Sequence, residues 1–337
     1  MRVLVTGATG FIGGHTCTAL RAAGHEVVAF ARDVGAARRV LGNAVIEVVP
    51  GDITDERAVA AAVRDADAVV HAAAAVTTSR KRHAEIEATN VRGAEVVLTA
   101  AAARGLDPIV HVSSVAALFD PARPHLTTDD PVATPLGAYG RSKARAERVA
   151  RDLQREGSPV VITYPAMVLG PFFGRRGGEG SGGVAATARA GVVPITPGGW
   201  SIVDVRDIGL LHTAVMVAGR GPRRYLATGT YCDMAALADL FAEATGRRFR
   251  RLPMSERAMF AWGSVSDLAQ RVFGYDSSIS REGFTYLTRA QRGDDLAARA
   301  ELGIEFRPPL DSLRASLAGL VAGGELSPRH AGAALDA

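Results

Sequence analysis

A tyrosine and a lysine that could transfer a proton stand four residues apart, at Tyr139 and Lys143. Residues at this spacing share one face of a helix. A phenol ionises near pH 10, and a neighbouring ammonium group lowers its pKa by stabilising the phenolate. We therefore expect Tyr139 to exchange a proton with a carbonyl or alcohol oxygen near neutral pH, with Lys143 lowering its pKa. Lys143 is one of only two lysines in the chain.

A serine that could hold the same oxygen follows a strand pattern at Ile109–Ser113. Ligands of parallel sheets bind at the carboxyl ends of the strands, so this serine is well placed. Ser114 is favoured over Ser113 because it is the later residue and lies nearer the sheet edge. The Y-x-x-x-K spacing alone occurs by chance in many helices. Its order after the serine pair and a glycine turn is what predicts a catalytic set of Ser114, Tyr139 and Lys143.

The glycine turn places Gly7, Gly10 and Gly13 in the pattern G-x-x-G-x-x-G, after one strand pattern and before a helix pattern. Glycines let the backbone approach a pyrophosphate, and a helix N-terminus offers free N–H groups and partial positive charge. A turn without function would show the same letters, but the strand and helix around this one favour a phosphate site. The predicted cofactor contacts here are Gly7, Gly10, Phe11, Ile12 and Gly13.

Two later strand ends predict further contacts to a dinucleotide. Asp52 and Ile53 follow the third strand, where a carboxylate can accept from an adenine amino group; a plain surface turn is the alternative. Small side chains follow the fourth strand and would let a cofactor lie against the sheet edge, although tight packing would also explain them. These are Ala72, Ala73 and Ala74. His71, just before them, is interpreted as a packed strand residue.

The end of the second strand predicts the choice of cofactor. An acid there accepts from a ribose 2′-hydroxyl and favours NAD, whereas an arginine favours the 2′-phosphate of NADP. No acid ends this strand and Arg32 follows it, so NADP(H) is favoured over NAD. Two alternatives remain open: Asp33 could accept from the ribose hydroxyl of NAD, and Arg32 could be present by chance in an arginine-rich chain. Lys143 has three donors, enough to hold the nicotinamide ribose as well.

The order of elements predicts the fold class. Strand and helix patterns alternate through residues 1–170, which indicates an α/β protein with a Rossmann-type, doubly wound parallel sheet. The patterns in residues 171–325 predict a smaller, mostly helical substrate-binding region that is partly interleaved with the sheet. Within it, Gly174–Gly183 holds six glycines among ten residues and is expected to be a mobile loop. Residues 326–337 are expected to form a flexible tail.

Composition narrows the function classes. The chain has 337 residues, 47% of them apolar, and a net charge of +4 from arginines spread along its length, so nucleic acid is not expected as a partner. Two cysteines outside any CxxC pair suggest no metal site and a reducing compartment. The first residues enter a strand pattern rather than a signal peptide, and no apolar stretch is long enough to span a bilayer. We expect a cytoplasmic protein without stable membrane insertion, with a homodimer as one option.

Together these residues resemble the extended short-chain dehydrogenase/reductase family, also called the NAD-dependent epimerase/dehydratase family, over roughly residues 1–310. The shared segments are Thr6–Gly13, Gly51–Ile53, Asn90–Gly93, His111–Ser114, Tyr139–Lys143, Pro165–Pro171 and Val203–Asp207. The resemblance implies that Asn90 and Pro165 line the cofactor. It also implies that Asp204 and Asp207 hold the C-terminal region to the sheet.

Details of these segments favour one branch of the family. Met167 stands where nucleotide-sugar epimerases and dehydratases usually carry asparagine, and the segment is closer to dihydroflavonol reductases and bacterial aldehyde, ketone and steroid reductases. The resemblance therefore implies an NADP-dependent oxidoreductase of small apolar aldehydes, ketones or alcohols. The alternatives are an NAD-dependent nucleotide-sugar epimerase or dehydratase, and a non-catalytic dinucleotide sensor. The sensor is disfavoured because Tyr139 and Lys143 are both present.

The substrate pocket is expected to use Val76, Val115 and Met167, with the 172–200 segment and the helix that carries Trp262. That helix is either a lid or simply packed on the core.

Overall fold

The computed structural model describes residues 1–74, 83–135, 137–273 and 281–336, so the predicted substrate contact Val76 lies outside the described residues. The described strands are β1 (Arg2–Thr6), β2 (Glu26–Ala31), β3 (Glu47–Pro50), β4 (Ala68–His71), β5 (Ile109–Val112), β6 (His125–Leu126), β7 (Val160–Pro165), β8 (Met167–Leu169), β9 (Val192–Ile195), β10 (Gly199–Asp204), β11 (Arg223–Ala227), β12 (Thr230–Asp233), β13 (Arg250–Pro253) and β14 (Arg292–Gly293).

The described helices begin at the glycine turn and continue to the C-terminus. They are α1 (Phe11–Ala22), α2 (Val34–Leu41), α3 (Glu56–Val63), α4 (His83–Arg104), α5 (Ala138–Arg155), α6 (Ser181–Ala190), α7 (Val205–Ala214), α8 (Met234–Thr245), α9 (Glu256–Phe273), α10 (Arg281–Arg289), α11 (Leu296–Leu302), α12 (Pro309–Ala322) and α13 (Pro328–Ala331). None of these helices is both long and apolar enough to cross a lipid bilayer.

Seven strands form one sheet in the order β3-β2-β1-β4-β5-β7-β11, and every neighbouring pair is parallel. The predicted Rossmann-type sheet is therefore confirmed. Strand order reverses between β1 and β4, and such a switch point leaves a crevice at the carboxyl ends of the strands. The glycine turn follows β1 and thus opens into that crevice.

Burial on both faces explains why the sheet strands are apolar almost without interruption. In β1, Val3 and Val5 pack into the core beneath α1 and α7, whereas Leu4 packs into the core beneath α3, α4 and α5. His71 is buried as expected, and its Nδ1 shares a 2.8 Å hydrogen bond with the hydroxyl of Thr6. Burial lowers the pKa of His71 to about 3, so its ring is neutral and structural.

The C-terminal region is helical but also contains short strands that the sequence patterns did not predict. These form a three-stranded sheet, β12-β10-β8, and the pairs β13-β9 and β14-β6. Runs of two to six residues are too short to display a strand period clearly. β11 crosses back into the main sheet beside β7, which fits the expected interleaving of this region with the sheet.

Two expectations about this region are wrong. The tail is packed rather than flexible over its described residues: Leu326, Ala331 and Ala334 are buried in the core formed by α6, α8 and α12. Small side chains allow this close packing, and the same composition suggested fraying in the sequence. The glycine-rich segment is also not a loop throughout, because α6 begins at Ser181 and takes in Gly182 and Gly183.

Two buried carboxylates, Asp204 and Asp207, join α7 to the later part of the C-terminal region; that they hold this region to the main sheet, as the resemblance implied, stays a prediction. Asp204 accepts a 2.8 Å hydrogen bond from the hydroxyl of Ser312 on α12, and it also caps α7. Asp207 accepts a 2.7 Å bond from the backbone N–H of Arg307 and pairs with its guanidinium. Such charge-assisted bonds are the strong ones, so they hold the segment that leads into α12 against the start of α7.

Candidate active site

Close backbone contacts build the glycine turn. Gly7 has a φ of +70°, and the backbone N–H of Gly10 donates to its carbonyl oxygen at 2.8 Å. A Cβ on Gly7 would lie 2.6 Å from the backbone nitrogen of Ala73, and one on Gly13 would lie 2.2 Å from the Gly7 carbonyl oxygen. No side chain fits at either place. The turn therefore leaves an all-backbone cradle at the N-terminus of α1, which is the form of a pyrophosphate site.

A groove with a cavity of about 660 Å³ runs from this turn to the ends of β5 and β7. It gathers most of the residues that were predicted to bind cofactor or substrate oxygen. Those that line it are Gly7, Gly10, Phe11, Ile12, Gly13, Ala72, Ala74, Ser114, Tyr139, Lys143, Pro165 and Met167. These residues fit a dinucleotide laid across the switch point of the sheet.

Arg32 and Asp52 lie beyond the described lining of this groove but near one another. Hydrogen bonds from the backbone and hydroxyl of Thr54, and more weakly the charge of Arg32, lower the pKa of the Asp52 carboxyl. Ile53 packs against α4, where a Cβ on Gly93 would lie 2.4 Å from its side chain. These positions mark the end of the groove at β2 and β3, where the adenosine half of a dinucleotide would lie.

Asn90 and Ala73 support the lining rather than form it. The amide of buried Asn90 donates to the hydroxyl of Ser142 at 3.3 Å, and that hydroxyl donates to the Tyr139 carbonyl oxygen at 2.8 Å. The backbone N–H of Ala73 donates to the Thr6 hydroxyl at 3.3 Å. Asn90 therefore links α4 to the first turn of α5 and helps to place Tyr139.

Ser114, Tyr139 and Lys143 meet at the carboxyl end of β5. Ser114 follows that strand, and its hydroxyl accepts a 3.2 Å bond from the backbone of Ala116. It lines the same groove as Tyr139 and acts to lower the pKa of that phenol. Tyr139 and Lys143 lie one turn apart on α5, and the ammonium group of Lys143 donates to the Val112 carbonyl oxygen at 3.1 Å. The three side chains can thus hold one substrate oxygen and exchange a proton with it.

The expected lowering of the Tyr139 pKa by Lys143 is not found in this arrangement. Burial and the negative charge of Glu179 raise the pKa of Tyr139 well above its usual value, and Ser114 opposes them only in part. Burial lowers the pKa of Lys143, while the charges of Glu179 and Glu147 raise it. The ammonium group of Lys143 bonds the Val112 carbonyl oxygen and interacts with the charge of Glu179, and it is not among the groups that shift the pKa of the phenol.

Sequence reasoning did not single out Glu179, which lines the groove with Tyr139 and whose negative charge raises the pKa of that phenol. Val112, Ser113, Ala166 and Val168 also line the groove and were not predicted, whereas Arg176, Gly177, Gly178 and Gly180 lie in the 172–200 segment that was expected to contact the substrate. One signal was available, since Glu179 is the single acidic residue within Gly174–Gly183. A lone acid in a glycine-rich segment that faces a ligand edge is a candidate for a site residue.

An apolar cavity of about 360 Å³ adjoins the groove and shares Ala166 and Met167 with it. Its described lining is Val115, Phe119, Leu126, Ala166, Met167, Gly183, Gly199, Trp200, Ser201, Gly283, Phe284, Tyr286, Leu287, Ala290 and Gln291. Val115 and Met167, which were predicted to contact the substrate, therefore both line this cavity. The helix that carries Trp262, α9, was expected to line the substrate pocket, and this expectation is wrong. Helix α10 supplies the described lining and α9 packs behind it, with the ring of Trp262 5.6 Å from the ring of Phe284.

Comparison with known proteins agrees with this geometry. The family model of the NAD dependent epimerase/dehydratase family matches residues 3–226. The sterol demethylase protein B of Methylococcus capsulatus is 30% identical over 313 residues, which cover 90% of this chain and 93% of that protein. A putative dihydroflavonol 4-reductase of Synechocystis is 28% identical over 327 residues, covering 94% and 92%.

Among solved structures, a UDP-glucose-4-epimerase from Stenotrophomonas maltophila with bound NAD and formylated UDP-arabinopyranose superposes with a TM-score of 0.75. It is 22% identical and covers 96% of this chain and 99% of its own, a likeness that shows the shared fold. The family model and the relative at 30% identity go further than fold. This chain belongs to the NAD dependent epimerase/dehydratase family and is an NAD(P)-dependent enzyme of the extended short-chain dehydrogenase/reductase type.

Proposed function

We propose that this enzyme is an NADP-dependent oxidoreductase that interconverts an apolar aldehyde or ketone and its alcohol. One observation carries the proposal: the apolar cavity adjoins the groove that contains Ser114 and Tyr139, and it is lined mainly by aliphatic and aromatic side chains. Burial of such surface stabilises binding by about 25 cal/mol per Å², so an apolar substrate gains most from this cavity. A nucleotide sugar would place most of its phosphates and hydroxyls against apolar side chains, because Ser201, Tyr286 and Gln291 are the polar side chains in the described lining.

The chain's own residues supply the proton and the orientation. Bound NADP supplies or accepts the hydride. Ser114 and Tyr139 bond the reacting oxygen from two directions, and Tyr139 gives it a proton during reduction or takes one during oxidation. Lys143 lies where its ammonium group can bind the nicotinamide ribose. The apolar walls keep water from the reacting carbon.

The surroundings of β2 support NADP over NAD. Arg32 is exposed at the end of this strand, and Arg39 on α2 extends back toward Gly35. Asp33, which could have bound a ribose hydroxyl, is used as the cap of α2 and accepts a 2.8 Å bond from the backbone of Ala36. The guanidinium groups of Arg32 and Arg39 can pair with a 2′-phosphate, whereas the Asp33 carboxylate is already bound to the backbone of α2. Both features favour NADP over NAD.

The names of the two full-length relatives point the same way, since one is called a sterol demethylase protein and the other a putative dihydroflavonol 4-reductase. The test is a panel of aldehydes, ketones, steroids and UDP-sugars with NADPH and NADH, followed at the nicotinamide absorbance. We expect turnover of apolar carbonyl compounds with NADPH. Turnover of UDP-sugars by protein that retains a tightly bound NAD would instead establish the epimerase alternative.

A further inference from the structure

The polar and apolar faces of α9 are reversed relative to those of a helix packed on a protein core. Its buried face includes Ser266 and Gln270, and the Gln270 amide donates a 3.1 Å hydrogen bond to the Ser266 hydroxyl. Its large apolar side chains are exposed instead, Trp262 by 49%, Val265 by 65% and Leu268 by 59%. A surface helix that faces water has the opposite arrangement. The outward face of α9 is therefore suited to contact with an apolar partner.

The exposed apolar residues of α9 form one continuous stripe. At about 3.6 residues per turn they fall within roughly 120° of the helix circumference. The members of this stripe are Ala258, Ala261, Trp262, Val265 and Leu268. Leu252 on β13, just before the helix, is 48% exposed as well. Single exposed apolar residues are ordinary, whereas a contiguous patch of them marks a site of interaction.

The net positive charge of the chain lies in the same segment. Residues 247–289, which include β13, α9 and α10, contain eight arginines and four acidic residues, an excess of four positive charges. The whole chain has a net charge of +4, so the rest of it is neutral on balance. Three of these arginines are exposed and make no ion pair with a described carboxylate: Arg248, Arg250 and Arg257. Arg257 borders the apolar stripe on the helix circumference.

We propose that Leu252, the stripe and these three arginines, together called the α9 surface, bind the face of a bilayer that contains anionic lipid. Helices that lie in a membrane interface place tryptophan and aliphatic side chains at the boundary of the acyl chains, while arginines are attracted to the anionic headgroups. The α9 surface has both kinds of side chain side by side. The inference goes beyond the proposed function and does not depend on it, because it concerns a surface outside the groove and the cavity.

Charge argues against a second copy of the chain as the partner. Most homodimers have twofold symmetry, which brings the same patch of both copies together. Two copies of the α9 surface would then face each other with like charge, and their repulsion would oppose association. An anionic lipid surface has the opposite charge and attracts arginines within a Debye length, about 10 Å at moderate ionic strength.

The α9 surface also lies on the outer side of the apolar cavity. The ring of Trp262 is 5.6 Å from the ring of Phe284, which lines that cavity. The guanidinium of Arg281, at the start of α10, lies 5.8 Å from the ring centroid of Phe260 on α9. α9 and α10 thus form one wall, with the cavity on one side and the exposed stripe on the other. An apolar compound dissolved in a bilayer would be concentrated beside this wall.

Sedimentation with lipid vesicles tests the proposal on the full chain, without cofactor or substrate. One kind of vesicle is phosphatidylcholine alone, and the other is equal parts of phosphatidylcholine and phosphatidylglycerol, which is anionic. The apolar variant is Trp262→Ser with Leu268→Ser. Its matched control is Leu210→Ser with Val217→Ser, which removes two apolar side chains that are 46% and 47% exposed outside residues 247–289.

A second pair of variants tests the charge. Arg250→Gln with Arg257→Gln removes two positive charges from the α9 surface. Arg64→Gln with Arg104→Gln is the matched control, because it removes two charges at exposed arginines elsewhere in the chain. The net charge of the chain falls equally in both variants, so a difference between them reports the place of the charge and not its amount.

We expect the wild type to sediment with the mixed vesicles at low salt, to remain in solution with phosphatidylcholine alone, and to be released by added salt. Each double variant of the α9 surface should lower the partition coefficient roughly 10-fold or more, and both controls should match the wild type. The proposal is overturned by absence of binding to the mixed vesicles, by equal binding to both kinds of vesicle, or by binding that the α9 variants leave unchanged.

Tryptophan emission gives a second readout that needs no change to α9, and it decides the question if an α9 variant folds poorly. Trp200 and Trp262 are the two tryptophans of the chain, so Trp200→Phe leaves Trp262 as the single reporter. Its emission should shift to shorter wavelength with mixed vesicles, because the indole leaves water. Unshifted emission from vesicle-bound protein would show that another surface binds. A stable dimer that Trp262→Ser with Leu268→Ser converts to a monomer would show that a second copy covers this face, and either result overturns the proposal.

Discussion

The dinucleotide groove and the apolar cavity meet at Met167 but are built in different ways. The groove begins in backbone that one short stretch supplies, with Gly7 and Gly13 in contact through their main chains. The cavity is built from side chains of β6, β8, β10 and α10, which are far apart in the sequence. A backbone cradle tolerates almost no substitution, whereas a wall of apolar side chains can change shape while the fold remains.

This difference separates the two tasks of the enzyme. The groove must fit one fixed cofactor, so its geometry is fixed by glycines that have no room for a Cβ. In the proposed function the cavity selects the substrate, and its volume is set by residues such as Trp200 and Phe284 that can be exchanged for others of similar size. Fold and cofactor class are therefore the shared property of the family, and substrate choice is local to this chain.

The largest effect is expected from Gly13→Ala in the groove. Its Cβ would meet the Gly7 carbonyl oxygen at 2.2 Å, so the turn must open. Overpacking of this kind costs about 3 kcal/mol, which should weaken NADPH binding roughly 100-fold or more. Calorimetry or fluorescence quenching would measure the affinity. Gly182→Ala is the matched control, because nothing lies within 4 Å of its added Cβ. Wild-type affinity in Gly13→Ala would show that the groove is not built as described.

A smaller and more selective effect is expected from Gly183→Leu in the cavity. A Cβ there would first meet the ring of Trp200 at 3.8 Å, an ordinary contact, so the longer side chain extends into free space. We expect kcat/KM for a bulky ketone to fall by about 10-fold or more, with NADPH affinity and turnover of a small aldehyde preserved. Steady-state kinetics on both substrates would check this. Equal losses for the two substrates would mean that the cavity does not select the substrate by size.

The smallest effect is expected from Arg32→Ala near the end of β2, where we propose that a side chain and not the backbone contacts the cofactor. Loss of one charge-assisted bond to a 2′-phosphate costs about 1.5 kcal/mol, so the Kd for NADPH should rise roughly 10-fold. The Kd for NADH should not change, because NADH has no phosphate there. If the two Kd values rise together, Arg32 serves the fold and not the choice of cofactor.

The sequence was informative where function depends on contiguous residues. The glycine turn, the serine pair after β5 and the tyrosine and lysine on α5 each occupy one short segment, and the strands that position them have a plain apolar pattern. Parallel pairing then brings their carboxyl ends to one edge. The order of these motifs therefore predicted both the sheet and the grouping of the site residues around the groove.

The sequence was less informative where a site depends on distant segments. Helix α10 lines the apolar cavity in place of α9, and no local pattern separates a helix that lines a cavity from one that packs behind it. Glu179 approaches Tyr139 only because Gly177 and Gly178 let their backbone close on β8 and Phe172. The Tyr139 pKa was misjudged for a similar reason: burial raises it most, and the next cause, the charge of Glu179, lies 40 residues along the chain.

The most direct test of the account is the turnover of Tyr139→Phe set beside its affinity for NADPH. The variant removes the hydroxyl that exchanges the proton and leaves the ring, the glycine turn and Lys143 unchanged. We expect kcat for carbonyl reduction to fall by about 1,000-fold or more, while the Kd for NADPH stays within about twofold of wild type. Turnover close to that of the wild type would contradict the catalytic role of this phenol.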